Sequence, residues 1–392
     1  MLLQRLEFDS AHDLEIFSSV PAQPAVFLLR GEQGTEPYVS KTANFRRRLQ
    51  RLLSLSEDSS KRLNLRNRVR FIEYGTSGSD FESGFLLYQL LRKEFPKAYA
   101  ARLRLRFAPL VKFHLDNEYP RASITTRMGR AKGKSVYYGP FLSRVSAEKF
   151  ANDSLDFFKM RRCVEDLHPD PAFPGCIYSE MKMCLAPCFK GCSDDEYRAE
   201  VGRVQTYFDS GGQSLESELL RQREQASTDL DFENAAALHA RIEKLKPVLA
   251  QLPEIVRRID QLEGIMVQPS AVANSVTLFR VDRGCIAGPI IFSIQPPDHT
   301  KSQSMESRVQ QALDAIQPFA ANTPLEMMEH LAILKRWYYR GTRIGEIFFT
   351  DHKRVLPMRR IVRGISRVYR GEKPETQPTL PGDAISDLSS IE

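Results

Sequence analysis

Residues 24–53 read PAVFLLRGEQGTEPYVSKTANFRRRLQRLL. The apolar run at 25–29 has the composition of a strand, Gly31 to Gly34 is a turn, and Tyr38-Val39-Ser40 is a second strand, so the segment predicts a hairpin. Residues 43–53 then carry Phe45, Leu49, Leu52 and Leu53 at helical spacing with arginines on the other faces. Outward from this stretch, residues 69–74 predict a third strand and 81–95 a second helix, stopped by Pro96. The first twenty residues carry no clear signal. Strand, strand, helix, strand, helix makes a small α/β unit over 21–103.

The rest is α+β and multidomain. Residues 104–162 read as a basic connector of short strands, and 163–197 as a cysteine-rich segment with Pro and Gly. Ser193 and Glu196 form a capping-box pattern that opens a helical region through 260. Within it Leu238, Ile242, Leu245 and Leu249 share one face. Residues 261–350 predict a small α/β region with strands at 275–279 and 289–292, a helix at 325–339 and a strand at 346–349. Residues 351–392 read as a basic segment and a Pro- and Ser-rich disordered tail.

The chain has 392 residues and a formal net charge of +7, and the charge is clustered. Nine basic residues face two acids over 46–70, and twelve face three over 92–134. Such clustering is the electrostatic footprint of a phosphate-backbone binder. No apolar run reaches the ~18 residues of a membrane span, and no signal-peptide pattern opens the chain, so a cytoplasmic location is expected. In that compartment the six cysteines stay reduced, and a cluster of them points to metal rather than disulfides. Cys163, Cys176, Cys184 and Cys188 have twelve, seven and three residues between them. Four thiolates suit an iron–sulfur cluster or structural Zn²⁺ equally. Cys192 is a fifth candidate, and Cys192 and Cys285 also read as plain buried thiols.

Six elements in order carry a resemblance. They are the hairpin strands Ala25-Val26-Phe27 and Tyr38-Val39-Ser40-Lys41, the segment from Lys41 to Arg48, Tyr138-Gly139-Pro140-Phe141, the cysteine set with Ala186-Pro187, and Asp231-Phe232-Glu233-Asn234-Ala235-Ala236. Together they resemble the UvrC family of nucleotide excision repair nuclease subunits, with its GIY-YIG nuclease domain, YGPF element, cysteine segment and UVR motif. The resemblance implies DNA as a partner, a 4Fe–4S cluster on Cys163, Cys176, Cys184 and Cys188, and docking of UvrB through Phe232, Ala235 and Ala236. His239-Ala240 stands where the family commonly has Arg-Asp, which puts that docking in question. In complete members of the family an RNase H-like domain and a helix-hairpin-helix pair follow the strand that Glu346 to Phe349 resembles; here a basic segment and a polar tail follow, so neither domain is expected.

For catalysis the resemblance implies Tyr38, Lys41 and Arg48, with Lys41, Arg46, Arg47 and Arg48 on DNA. Departures are visible. Phe27 replaces the first tyrosine, Ser40 a glycine and Leu52 a later tyrosine; the asparagine expected near Tyr99 is missing. Counting back from Pro96 puts Leu87 at the metal-binding glutamate, and leucine cannot ligate Mg²⁺ or Mn²⁺. Either ion enters only if the nuclease is active, and Glu82 could substitute only in another helix register. Three readings stay open: a silent adaptor binding DNA and UvrB, an active single-incision excinuclease, and a metal-binding UVR-motif regulator.

Overall fold

The computed structural model describes residues 4–55, 63–129, 133–295, 303–319, 321 and 323–375. The expected tail beyond 375 lies outside them. Three four-stranded antiparallel sheets organise the chain.

The first contains β1 (Gln4–Glu7), β2 (Ala25–Arg30), β3 (Tyr38–Thr42) and β4 (Phe71–Thr76), in the order β1-β4-β2-β3. Helices α1 (Asp13–Ser19) and α2 (Phe45–Leu53) precede α3 (Asp80–Glu94) and the short α4 (Tyr99–Leu103). The predicted hairpin is present, with Leu29 opposite Tyr38 and Phe27 opposite Ser40. The silent first residues supply an edge strand paired to β4. Alternation along β2 sends Phe27 and Leu29 into one cluster with Phe45, Leu49 and Leu52 of α2. Val26 and Leu28 point the other way, against Leu86 and Leu90 of α3. The sheet is therefore covered on both faces.

The second sheet has β5 (Leu110–Phe113), β6 (Ala122–Thr125), β7 (Val136–Gly139) and, far along the chain, β8 (Arg257–Arg258). Against it pack α5 (Arg144–Leu155) and α7 (Asp194–Asp209), with the one-turn α6 (Ile177–Glu180) between them in sequence. The Ser193–Glu196 capping box forms, Ser193 accepting from the Glu196 N–H at 3.2 Å. Helices α8 (Gln213–Thr228) and α9 (Phe232–Ala250) make a hairpin closed on Leu219, Ala226, Leu238, Ile242 and Leu245.

The third sheet runs β11-β10-β9-β12, from β9 (Gly264–Pro269), β10 (Ser275–Asp282), β11 (Cys285–Ser293) and β12 (Glu346–Phe349). Helices α10 (Met305–Asp314) and α12 (Met358–Arg370) cover one face through Val309, Leu313, Ile361 and Ile365. Helix α11 (Pro324–Tyr338) lies on the other and meets α3. The YGPF element is where the units join. Tyr138 donates to Asp209 at 2.7 Å, and Tyr339 donates to the Pro140 carbonyl at 3.0 Å. A Cβ at Gly139 would sit 2.5 Å from Leu110, so the strand crossing there requires glycine.

Candidate functional site

Asn44 caps α2 by accepting from the Arg47 N–H at 3.0 Å, and burial of Phe45 and Leu49 turns the arginines outward. Arg48 Nη2 donates to the Tyr38 hydroxyl at 2.7 Å, while its buried Nε has no partner. Two of the three residues assigned to catalysis are thus together. Phe27 lies beside them, ring centroids 6.1 Å from Tyr38, fully buried. Leu52 is core of the same cluster. Arg47 is exposed, whereas Arg46 is tied down, donating to the carbonyls of Val20 at 2.9 Å and Ser18 at 3.2 Å. Ser40 turns its hydroxyl to the Lys41 carbonyl at 3.3 Å.

Lys41 is not with Tyr38 and Arg48. Its ammonium contacts Asp80 at 2.5 Å, and the second Asp80 oxygen accepts from Arg340 at 2.6 Å. Burial pushes the Asp80 carboxyl up, but the two cations outweigh it and hold it below the ordinary range. Leu87 packs against the Val26, Leu28, Leu86 and Leu90 cluster, across the sheet from Tyr38. Glu82 is buried at the start of α3, accepts the Gly78 N–H at 2.8 Å, and is pushed up to about 7 by burial. Both acids that precede the expected metal position on α3 are therefore engaged within the protein.

The four cysteines come together. Cys163, Cys176, Cys184 and Cys188 line one small pocket with Arg161, Arg162, Leu167, Tyr178 and Pro187. Backbone bonds draw the loop around it: Leu185 N–H to the Lys159 carbonyl at 3.0 Å and Asp170 N–H to the Cys188 carbonyl at 2.9 Å. The Ala186 N–H donates to Cys184 Sγ at 3.3 Å. Burial pushes the thiols of Cys163 and Cys188 up, and that of Cys184 to about 11. Among the described residues no group of three or more His, Cys, Asp or Glu side chains is disposed to hold a single metal ion. Cys192 stands near Cys188 but does not line the pocket, and Cys285 is buried in the third sheet.

On the helical hairpin, Phe232 is 67% exposed, as is Leu230 at 71%. Ala236 is also exposed and Ala235 half-buried against the core. The contact between α8 and α9 themselves is made elsewhere, so this tip leaves apolar surface outward.

The seam between α3 and α11 was not anticipated from the sequence. Glu329, 1% exposed, accepts from Tyr88 at 2.9 Å and Tyr99 at 2.7 Å, and Arg92 pairs with buried Glu326. His330 accepts the Ile286 N–H at 2.9 Å, and burial pushes its imidazole down to about 4. Acids at 326 and 329 on a helix this apolar were the available signal.

No helix among the described residues is long and apolar enough to cross a membrane. Residues 109–206, spanning β5 to α7 and the cysteine pocket, match the family described as UvrC/Cho excinuclease, middle domain. Over 271 residues, 69% of this chain and 42% of the relative, the sequence is 27% identical to UvrABC system protein C of Rickettsia conorii. The Idiomarina loihiensis protein of the same name is 28% identical over 251 residues, 62% of this chain and 39% of the relative. No solved structure matches. The fold is α+β and multidomain, and residues 109–206 are similar to the UvrC/Cho excinuclease middle domain. The chain is similar to UvrABC system protein C and spans less than half the length of these relatives.

Proposed function

We propose that this chain serves nucleotide excision repair as a UvrC-type adaptor, binding DNA through the basic face of α2 and docking UvrB through the tip of the α8–α9 hairpin. Arg48 and exposed Arg47 contact the phosphate backbone, a planar guanidinium fork matching phosphate oxygens. The hydrolytic chemistry of a GIY-YIG nuclease is silent. The observation that carries this is the state of the acids: Asp80 is paired to Lys41 and Arg340, and Glu82 is buried on the Gly78 N–H, so neither is free to hold Mg²⁺ or Mn²⁺ at the Tyr38–Arg48 pair. The hairpin tip supports UvrB docking because Leu230 and Phe232 present apolar surface that none of the described residues covers.

The four-cysteine pocket is proposed to hold a 4Fe–4S cluster. The support is that all four thiols line one pocket, and four thiolates suit a cluster or Zn²⁺ alike. When bound, the group supplies a covalent staple to a segment with little core of its own. Cys163, Cys176, Cys184 and Cys188 would hold it.

An incision assay tests the proposal: an end-labelled duplex with one bulky lesion, preloaded with UvrA and UvrB, in Mg²⁺ or Mn²⁺. A shift of the UvrB–DNA complex without a cut is expected. A single metal-dependent cut would overturn the silent reading. Leu87→Glu should not create a cut, because Leu87 packs across the sheet from Tyr38.

A further inference from the structure

Arg161 is 1% exposed, the largest fully buried side chain among the described residues. Its Nη2 donates to the Glu165 carbonyl at 2.7 Å, but Nε and Nη1 are buried without any partner. No carboxylate among the described residues pairs with it. Its neighbour Arg162 differs, being neutralised by Asp156 at 2.7 Å. A buried guanidinium without a counter-charge is costly, and such groups are ordinarily paired. Arg161 lines the same pocket as the four cysteines.

Four thiolates around a metal centre of lower positive charge leave a net anion. We propose that Arg161 is the built-in counter-charge of the centre held by Cys163, Cys176, Cys184 and Cys188, its Nε–H and Nη1–H donating to sulfur. Arg161 is a positioning residue. It ligates nothing, but it compensates the charge of the thiolates and fixes the loop through Glu165. This inference rests on the reading of the pocket as a metal centre. The coupling is mutual: the centre neutralises Arg161 as much as Arg161 neutralises the centre.

That reciprocity gives a test with opposite signs. The full chain is purified anaerobically as wild type, Arg161→Met and Arg161→Lys. Metal and acid-labile sulfide content, the rate of metal loss to excess chelator, and thermal midpoints before and after chelation are measured. Arg161→Met should hold metal ~10- to 100-fold more weakly, the usual scale for outer partners of metal ligands. It should lower the midpoint of the loaded protein, yet leave the chelated protein unchanged or raised, because there it removes an unpaired buried charge. A redox-active centre should also shift to a more negative potential. Equal destabilisation of loaded and chelated protein would make Arg161 merely structural and overturn the proposal, as would unchanged metal retention. Should Arg161→Met not fold, Arg161→Lys decides, since it keeps the charge and loses the fork: faster metal loss than wild type supports donation to sulfur, and unchanged loss overturns it. Wild type that carries no metal after anaerobic purification defeats the metal-centre reading itself, a result distinct from a loaded wild type matched by its variants.

Discussion

The face around Tyr38 and the pocket around Cys184 are both built from side chains suited to bind something, but they hold their polar atoms differently. In the nuclease-like unit the groups answer one another: on one face of the sheet Arg48 donates to Tyr38, and on the α3 side Lys41 and Arg340 share Asp80 while Glu82 takes the Gly78 N–H. Around Cys184 one thiol accepts a backbone N–H, and a buried arginine keeps two nitrogens unpartnered. Buried polar groups are nearly always satisfied, so the second arrangement is the one that needs an outside group to be complete. The first is more nearly satisfied within the protein, with one buried nitrogen, Arg48 Nε, left without a partner.

The largest expected effect breaks the cysteine side of this comparison. Cys184→Ala removes the pocket thiol that burial pushes highest. Where a bound centre holds a segment, its binding free energy is folding free energy, so the loss should exceed ~3 kcal/mol. Thermal unfolding should show the drop, and limited proteolysis should cut between residues 163 and 192. Wild-type metal content and melting in this variant would remove the contrast altogether.

Next in size is Glu329→Ala at the seam that locks α3 against α11. Two tyrosine hydroxyls lose their acceptor in a buried site. A cost of about 3 kcal/mol in urea unfolding is expected, with partial recovery by Glu329→Gln. A loss below ~1 kcal/mol would mean that water replaces the carboxylate and that the seam is less dry than its burial indicates.

Much of the frame was legible and much of the site was not. The hairpin, α2 and β12 follow from local periodicity, and the Ser193–Glu196 box marks the start of α7. Helix α5 was missed because it buries small residues, Ala147 and Ala151, and is capped by Ser143 with Ser146 rather than an acid. The grouping of Lys41 with Tyr38 failed to use strand alternation: residues three apart on a strand face opposite ways, and Lys41 does reach Asp80 on the α3 side. The Tyr88–Glu329 bond joins residues 241 apart, which no local pattern encodes. Nor does any pattern separate buried Arg161 from Arg162 beside it.

Glu82 sharpens the other side of the comparison through pH. Its folded value, about 7, lies above the ordinary 4.5, so the folded state binds the proton more tightly. The stability this confers is fully present below 4.5 and is lost as pH rises toward 7. Glu82→Gln should abolish that decline and be more stable than wild type at pH 8 by on the order of 2 kcal/mol. His330 acts with the opposite sign over nearly the same range: its folded value of about 4 lies below 6.5, so stability is lost as pH falls between them. Chemical denaturation across pH separates the two, because Glu82→Gln should leave only the His330 slope, a loss as pH falls below 6.5. A wild-type decline that persists in Glu82→Gln would assign it to other groups.

The smallest expected effect is on DNA. Arg48→Ala removes one guanidinium from a basic helix, so affinity for duplex should fall only ~3- to 10-fold at moderate salt. The more telling quantity is the salt slope, which should flatten by about one for one lost phosphate contact. Arg47→Ala should act similarly because Arg47 is exposed. Lys41→Ala should flatten the slope less, since its ammonium is already committed to Asp80 and would have to leave that pair to reach a phosphate. Equal slopes for Arg48→Ala and Lys41→Ala would mean that DNA draws Lys41 away from Asp80 and unites the residues that the sheet now separates. In that case the nuclease-like face would resemble the cysteine pocket after all, finished by its ligand rather than by the protein.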